Sequence, residues 1–100
     1  MELDTAVRYK LPVVTVISNN GGWSADPEGV KVGRFLGYTR YDRMAEGLGC
    51  HGEFVERPEE IRLALARAFA SGVPAVVNVV TDYRAQAITQ KFAGYRGPAV

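Results

Sequence analysis

Only one cysteine, one histidine and one tryptophan occur in this chain of 100 residues. Cys50 can close no internal disulfide, and a lone thiol favours a reducing, cytoplasmic compartment. With no other Cys and no second His in the chain, Cys50 has no set of metal ligands to join, and a plain buried thiol is its default reading. His51 is expected to be a structural or surface residue. No apolar run is long enough to span a bilayer, and Glu2, Asp4 and Arg8 interrupt the start where a signal peptide would need an unbroken hydrophobic stretch. Neither sign of charge dominates: 12 basic residues stand against 11 acidic ones, interspersed, for a net charge of +1. That excludes an electrostatic footprint for nucleic acid or a membrane surface. There is no internal repeat and no low-complexity segment. A hydrophobic fraction of 47% rules out disorder. One hundred residues allow one domain at most, burying roughly 60–70% of the unfolded surface.

What is present is organised around Leu11 to Trp23, LPVVTVISNNGGW. Val13 to Ile17 is an apolar, mostly β-branched run without polar alternation, the pattern of a parallel strand buried on both faces. Asn19, Asn20, Gly21 and Gly22 break it abruptly. Two amide side chains and two permissive backbone positions thus fall just past the strand's carboxyl end, where open α/β sheets bind ligands. Taken alone, Asn-Asn-Gly-Gly is also an ordinary surface turn.

In chain order, Met1 to Tyr9 reads as a short helix with Asp4 and Arg8 paired across a turn, ended by Lys10-Leu11-Pro12. Ser24 to Gly37 is loop-like, although Val30, Val32 and Phe35 hint at extended structure that a hairpin could pair with Val13 to Ile17. Thr39 to Leu48 reads as a helix, with Thr39 and Asp42 at capping spacing and Tyr41, Met44, Ala45 and Leu48 as its core stripe. His51 to Glu56 is a short strand. Pro58 opens a helix whose buried face is Ile61, Ala64, Leu65, Ala68 and Phe69, ended by Gly72. Arg40, Arg43, Arg62 and Arg67 are expected on solvated helix faces. Pro74 to Val80 is a last buried strand in which Asn78 needs hydrogen-bond partners. Thr81 to Phe92 reads as a terminal helix, with residues 93–100 a frayed tail. Alternating helices and strands imply an α/β fold: about three parallel strands with flanking helices, part of a doubly wound sheet.

Three segments in register carry a resemblance: ELDTAVRYKLPVVTVISNNGGW, GYTRYDRMAEGLGCHGEFVERPEEI and GVPAVVNVVTDYRA. Together they resemble the cofactor-binding domain of thiamine-diphosphate-dependent enzymes, in the acetolactate-synthase-like branch that also holds oxalyl-CoA decarboxylase, 2-hydroxyacyl-CoA lyase and benzaldehyde lyase. The resemblance covers nearly the whole chain apart from Ser24 to Phe35 and the last ten or so residues. It implies that residues 1–100 form the second half of a thiamine-diphosphate-binding domain, truncated, because the Gly-Asp-Gly that opens the family's motif would lie upstream of Met1.

What the resemblance implies for the site is specific. The cofactors would be thiamine diphosphate and Mg2+. Asn20, Gly21, Gly22 and Trp23 would bind the cofactor, with the Asn20 side chain and the Gly22 carbonyl as metal ligands. Such oxygens suit magnesium, which demands near-octahedral oxygen ligation at short distance. Asn19 would support the turn, and Trp23 would pack beside the site or in the core. No catalytic residue is expected in this chain, since the family's activating glutamate comes from another domain of a neighbouring subunit. The expected partners are therefore the rest of a parent enzyme, a second identical subunit, and a small 2-keto acid or acyl-CoA substrate. The implied function is that of the cofactor-binding part of a lyase or carboligase cleaving or forming carbon–carbon bonds; the chain alone would be inactive. The alternative is a non-catalytic α/β module that only binds a partner.

Overall fold

Each segment rich in β-branched residues becomes a strand, and each segment with a helical apolar stripe becomes a helix. The computed structural model describes residues 1–23 and 32–85. Its elements run α1 (Glu2–Arg8), β1 (Val14–Asn19), α2 (Tyr41–Gly47), β2 (His51–Val55), α3 (Ile61–Ala70) and β3 (Ala75–Val80), with a 3-10 turn at Pro58–Glu60 leading into α3. The three strands are all parallel and lie in the order β1-β3-β2. Helices cover both faces of this sheet, as the alternation of elements implied.

On one face, Ala45 of α2, Cys50 and Val76 form a buried cluster joined by Leu3 and Val7 of α1, Ile17 and Leu48. On the other, Ala64 and Ala68 of α3 pack with Val55, Ala75 and Val77, joined by Val14, Ile61, Leu65 and Val79. Central β3 is therefore closed on both sides, and Val76 and Val77 are essentially without solvent exposure. Each such side chain contributes about 1.5–3 kcal/mol by burial. Gly52 brings α2 tight against the sheet: a Cβ there would lie 2.6 Å from the Asp42 carbonyl oxygen.

Several expectations are corrected by this packing. β1 is not buried on both faces within this chain; Thr15, Val16 and Ser18 are exposed, Val16 by 54%. The reason is positional, since β1 is an edge strand and α3 lies chiefly over β2 and β3. The hairpin alternative for Val13 to Ile17 does not form. Phe35 instead makes an isolated antiparallel bridge to Gly22. In α2 the inward face is Asp42 and Ala45, while Met44 is 56% exposed. Thr39 does not cap that helix: its first turn begins from Arg40, with no side-chain cap. In α3 the two buried residues are alanines, and Phe69 is 69% exposed, because small side chains let the helix approach the sheet and turn its rim outward.

Arg43, Arg62 and Arg67 are exposed, as expected, and Arg40 is half-buried. Arg8 pairs with Asp4 at 2.8 Å as expected. Arg67, however, grips Glu53 with two hydrogen bonds of 2.8 and 2.9 Å, and His51 Nε2 lies 2.7 Å from the same carboxylate. Arg67 holds the Glu53 carboxyl below its ordinary pKa, against the upward push of burial and with help from His51. Residues 81–85 form a turn rather than a helix. The remainder of the expected terminal helix, the 93–100 tail and Val30 lie outside the described residues.

Candidate functional site

The carboxyl end of β1 delivers two consecutive asparagines into different surroundings. Asn19 is buried and Asn20 is half-buried, because successive side chains leave a strand in opposite directions. Each amide oxygen then accepts a main-chain hydrogen bond from two residues ahead. Asn19 Oδ1 accepts from the Gly21 N–H at 3.1 Å, and Asn20 Oδ1 accepts from the Gly22 N–H at 3.1 Å. These overlapping Asx turns wind the backbone back on itself, which Gly21 permits with a φ of 76°.

The turn is clamped by the segment that follows. The Leu36 and Gly37 N–H groups both donate to the Gly21 carbonyl, at 2.7 and 3.0 Å, and the Trp23 N–H donates to the Arg34 carbonyl at 2.7 Å. Gly22 is fixed as glycine by that contact, since a Cβ there would meet the Arg34 carbonyl oxygen at 2.6 Å. Tyr38 ties the same segment to the end of β3 by donating its hydroxyl to the Thr81 carbonyl at 2.9 Å.

Between turn and segment opens a cleft of about 260 Å³, lined by Ile17, Ser18, Asn19, Asn20, Gly22, Leu36, Gly37 and Tyr41. Small-molecule sites usually measure about 300–1,000 Å³, so this cleft suits the end of a ligand rather than a whole cofactor. Of the expected site residues, the structure brings Asn20 and Gly22 together on its wall. Gly21 lies behind the wall, its Cβ direction facing the Tyr38 ring. Trp23 does not line the cleft and is 65% exposed, outside the core.

Beneath the turn lies a connected set of buried polar groups. Asn19 Nδ2 donates to Asn78 Oδ1 at 3.0 Å and to the Thr39 carbonyl at 3.1 Å. Asn78 Nδ2 donates to that same carbonyl at 2.9 Å and to Asp42 Oδ1 at 3.1 Å. Asp42 in turn receives Arg40 through both carboxylate oxygens, at 2.7 and 3.0 Å, and the Arg40 guanidinium lies 3.9 Å from the centre of the Phe54 ring. Burial pushes the Asp42 carboxyl up, but hydrogen bonds from Arg40, Asn78 and its own backbone N–H outweigh it and hold the group below its ordinary pKa. Among the described residues no buried side-chain polar atom lacks a partner. Asn78 announced itself as an amide inside an apolar strand; Asp42 was concealed by its resemblance to a helix cap.

Among the described residues the cleft is lined by no charged side chain; its polar lining is Ser18, Asn19, Asn20, Tyr41 and main chain. Nor do the described residues hold three His, Cys, Asp or Glu in a metal-binding group. Amide and carbonyl oxygens suit a hard cation such as magnesium, completed by oxygens that a ligand brings. An anion entering this cleft would need a cation with it. His51 stands on β2, at the far edge of the sheet from β1, engaged with Glu53.

Comparison with known proteins fits this geometry. Residues 1–79 match the family described as thiamine pyrophosphate enzyme, C-terminal TPP binding domain. The chain belongs to that family. It is 50% identical over 91 residues to a probable acetolactate synthase of Mycobacterium bovis, aligning 82% of the chain with 16% of that protein. Over 94 residues it is 38% identical to a 2-hydroxyacyl-CoA lyase of Arabidopsis thaliana, and over 89 residues 36% identical to an oxalyl-CoA decarboxylase of Escherichia coli, with the same shares covered. The chain therefore spans about one-sixth of the length of these relatives. They are the acetolactate-synthase-like branch that the three sequence segments indicated. As a thiamine-pyrophosphate-binding domain, the chain presents its turn and cleft at the carboxyl end of the first strand. Among its described residues no helix is long and apolar enough to cross a membrane.

Proposed function

We propose that the cleft beside Asn20 and Gly22 receives the diphosphate end of thiamine diphosphate together with Mg2+. The Asn20 side-chain oxygen and the Gly22 carbonyl would be the ligands this chain supplies. The observation that carries this reading is the pair of overlapping Asx turns, which brings Asn20 and Gly22 to the wall of one cleft at the strand's carboxyl end, with no charged side chain among its described lining residues. Asn20 Oδ1 already accepts the Gly22 N–H, which orients it and leaves its second lone pair for a cation. Gly21 shapes the turn, and Trp23, exposed next to it, would meet the cofactor or a neighbouring segment.

When bound, thiamine diphosphate supplies the electron sink for making or breaking carbon–carbon bonds. The chain's own share is to bind and orient. Among the described residues no His, Asp, Glu, Lys or Cys lines the cleft, and proton transfer would come from another part of the parent enzyme. We place the chain in a cytoplasmic lyase or carboligase acting on 2-keto acids or 2-hydroxyacyl thioesters. The rest of that enzyme and a second identical subunit would complete the site. The chain alone would turn over neither pyruvate nor a 2-hydroxyacyl-CoA above the rate given by free cofactor.

Titration calorimetry of the full chain with magnesium and thiamine diphosphate tests the ligand assignment. Asn20→Ala should weaken binding by roughly tenfold or more, since it deletes an oxygen from a cation that tolerates few substitutes. Asn20→Asp should weaken it less, and His51→Ala should leave it unchanged. Equal affinity for Asn20→Ala and the parent would reduce Asn-Asn-Gly-Gly to an ordinary turn.

A further inference from the structure

We infer that Asn78 and Asp42 are positioning residues for the cleft, acting as a hydrogen-bond relay that sets which way the amide of Asn19 points and so holds the Asn20–Gly22 turn. Neither residue lines the cleft. The inference deepens the reading of Asn20 and Gly22 as ligands and rests on it for its purpose, though the relay itself can be measured without any ligand.

The argument is one of polarity. An ionised carboxylate only accepts hydrogen bonds, whereas an amide has one accepting end and one donating end. Arg40 holds Asp42 as a carboxylate by two short hydrogen bonds, and Asp42 is buried. Facing that acceptor, Asn78 must present Nδ2, which it does at 3.1 Å, and the Thr39 carbonyl takes the other proton of the same nitrogen. Asn78 Oδ1 is thereby turned to Asn19, which must answer with its own Nδ2 at 3.0 Å. The Asn19 oxygen is then left pointing at the Gly21 N–H. A charge two side chains away thus decides an amide orientation that closes the first of the two Asx turns. Asn78 is completely buried, so a mispaired atom in this chain has no water to turn to. The relay also crosses three elements, from the start of α2 through central β3 to the end of edge strand β1.

The decisive variant is Asn78→Asp, which keeps shape and volume but replaces the donating nitrogen with an acceptor facing Asp42. At pH 7.5 the introduced carboxylate and Asp42 should repel, and the turn should loosen. On acidification the introduced carboxyl takes up a proton first, because burial and the neighbouring Asp42 both raise its pKa. It then donates to Asp42 as the amide did. The other charged group near this position is Arg40, which itself senses Glu46 of α2 and Glu56 beyond β2; β1 contributes only uncharged Ile17 and Asn19.

The readout is native-state hydrogen exchange of the full chain, expressed as protection of the Gly21 amide. Asn78→Asp should lower that protection roughly tenfold or more at pH 7.5, the effect of an unmatched buried polar group, and recover most of it by pH 5. Val77→Ala, one residue away but facing α3, serves as a control for general destabilisation. It should lower protection of the whole sheet without singling out Gly21, and show no recovery in acid. The relay is overturned if Asn78→Asp leaves Gly21 as protected as in the parent at pH 7.5, if the loss is the same at pH 5, or if Val77→Ala reproduces the pattern. Because exchange needs no ligand, these outcomes are separate from the Asn20→Ala titration, which decides the ligand reading.

Discussion

Adding one methyl group at Gly52 tests how closely the site's supporting helix is held. A Cβ at this position would lie 2.6 Å from the Asp42 carbonyl oxygen and 2.9 Å from Glu46 Cγ. The side chain of Glu46 can swing aside, but the Asp42 carbonyl is part of the first turn of α2 and cannot. The helix must retreat by several tenths of an ångström, carrying with it the carboxylate that receives Asn78 Nδ2. Overpacking of this kind costs about 1–3 kcal/mol. Replacing glycine within a strand returns about 0.5–1 kcal/mol of backbone entropy, so Gly52→Ala should destabilise by about 1–2 kcal/mol net. Gly47, the last residue of α2, supplies the contrast, since a Cβ there meets nothing within 4 Å. Gly47→Ala should gain about 0.5–1 kcal/mol. The two variants, each one methyl group larger than the parent, shift in opposite directions and should therefore separate by about 1.5–3 kcal/mol. With a urea slope near ~1 kcal/mol/M for a small domain, that is a midpoint difference of about 1.5–3 M. Urea unfolding followed by circular dichroism on the full chain measures it. If both variants shift the same way, or if Gly52→Ala is as stable as the parent, α2 is not seated as described.

Stability should also fall in acid. Asp42 and Glu53 have folded pKa values below their ordinary ones, so their contribution is fully present above the unfolded values near ~4 and is lost as pH drops through the folded values. Urea midpoints recorded from pH 7 to pH 3 should decline chiefly below about pH 4, and Asp42→Asn should flatten that decline while lowering the midpoint at pH 7. The uncovered outer edge of β1, with Val16 more than half exposed, should drive self-association; sedimentation should show mass rising with concentration, and Val16→Lys should suppress it. A monodisperse, heat-resistant parent monomer would refute the edge argument.

Much of this arrangement is legible in the residues because local and global signals agree. The two β-branched runs and the shorter His51 to Val55 are strands, the Pro58 start and Gly72 stop bracket α3 with its leading 3-10 turn, and the Asn-Asn-Gly-Gly break falls at the mouth of a cleft. What was hidden depends on neighbours that sequence spacing does not name. Nothing in VVTVI distinguishes a central strand from an edge one, since that is decided by where β3 inserts. Asp42 has the spacing of a capping residue, yet the pull of Arg40 and Asn78 turns it into the sheet and sends Met44 outward. Phe69 sits on the apolar stripe of α3 but extends past the rim of what α3 covers. Only Asn78 was flagged in advance, because an amide in an apolar strand must be paired with something.

The order β1-β3-β2 has a consequence for how the chain acquires its site as it is made. Val14 pairs with Ala75 and Asn19 with Val80, partners 61 residues apart. Closing a loop of that length costs about 3–4 kcal/mol of entropy before any contact repays it. During vectorial synthesis Asn19 precedes Asn78, against which it is set, by 59 residues. The β2–α3–β3 portion can gather locally, whereas β1 must wait and then dock along the exposed side of β3. A chain stopped short of Val80 would retain all four residues from Asn19 to Gly22 without the surface that shapes them.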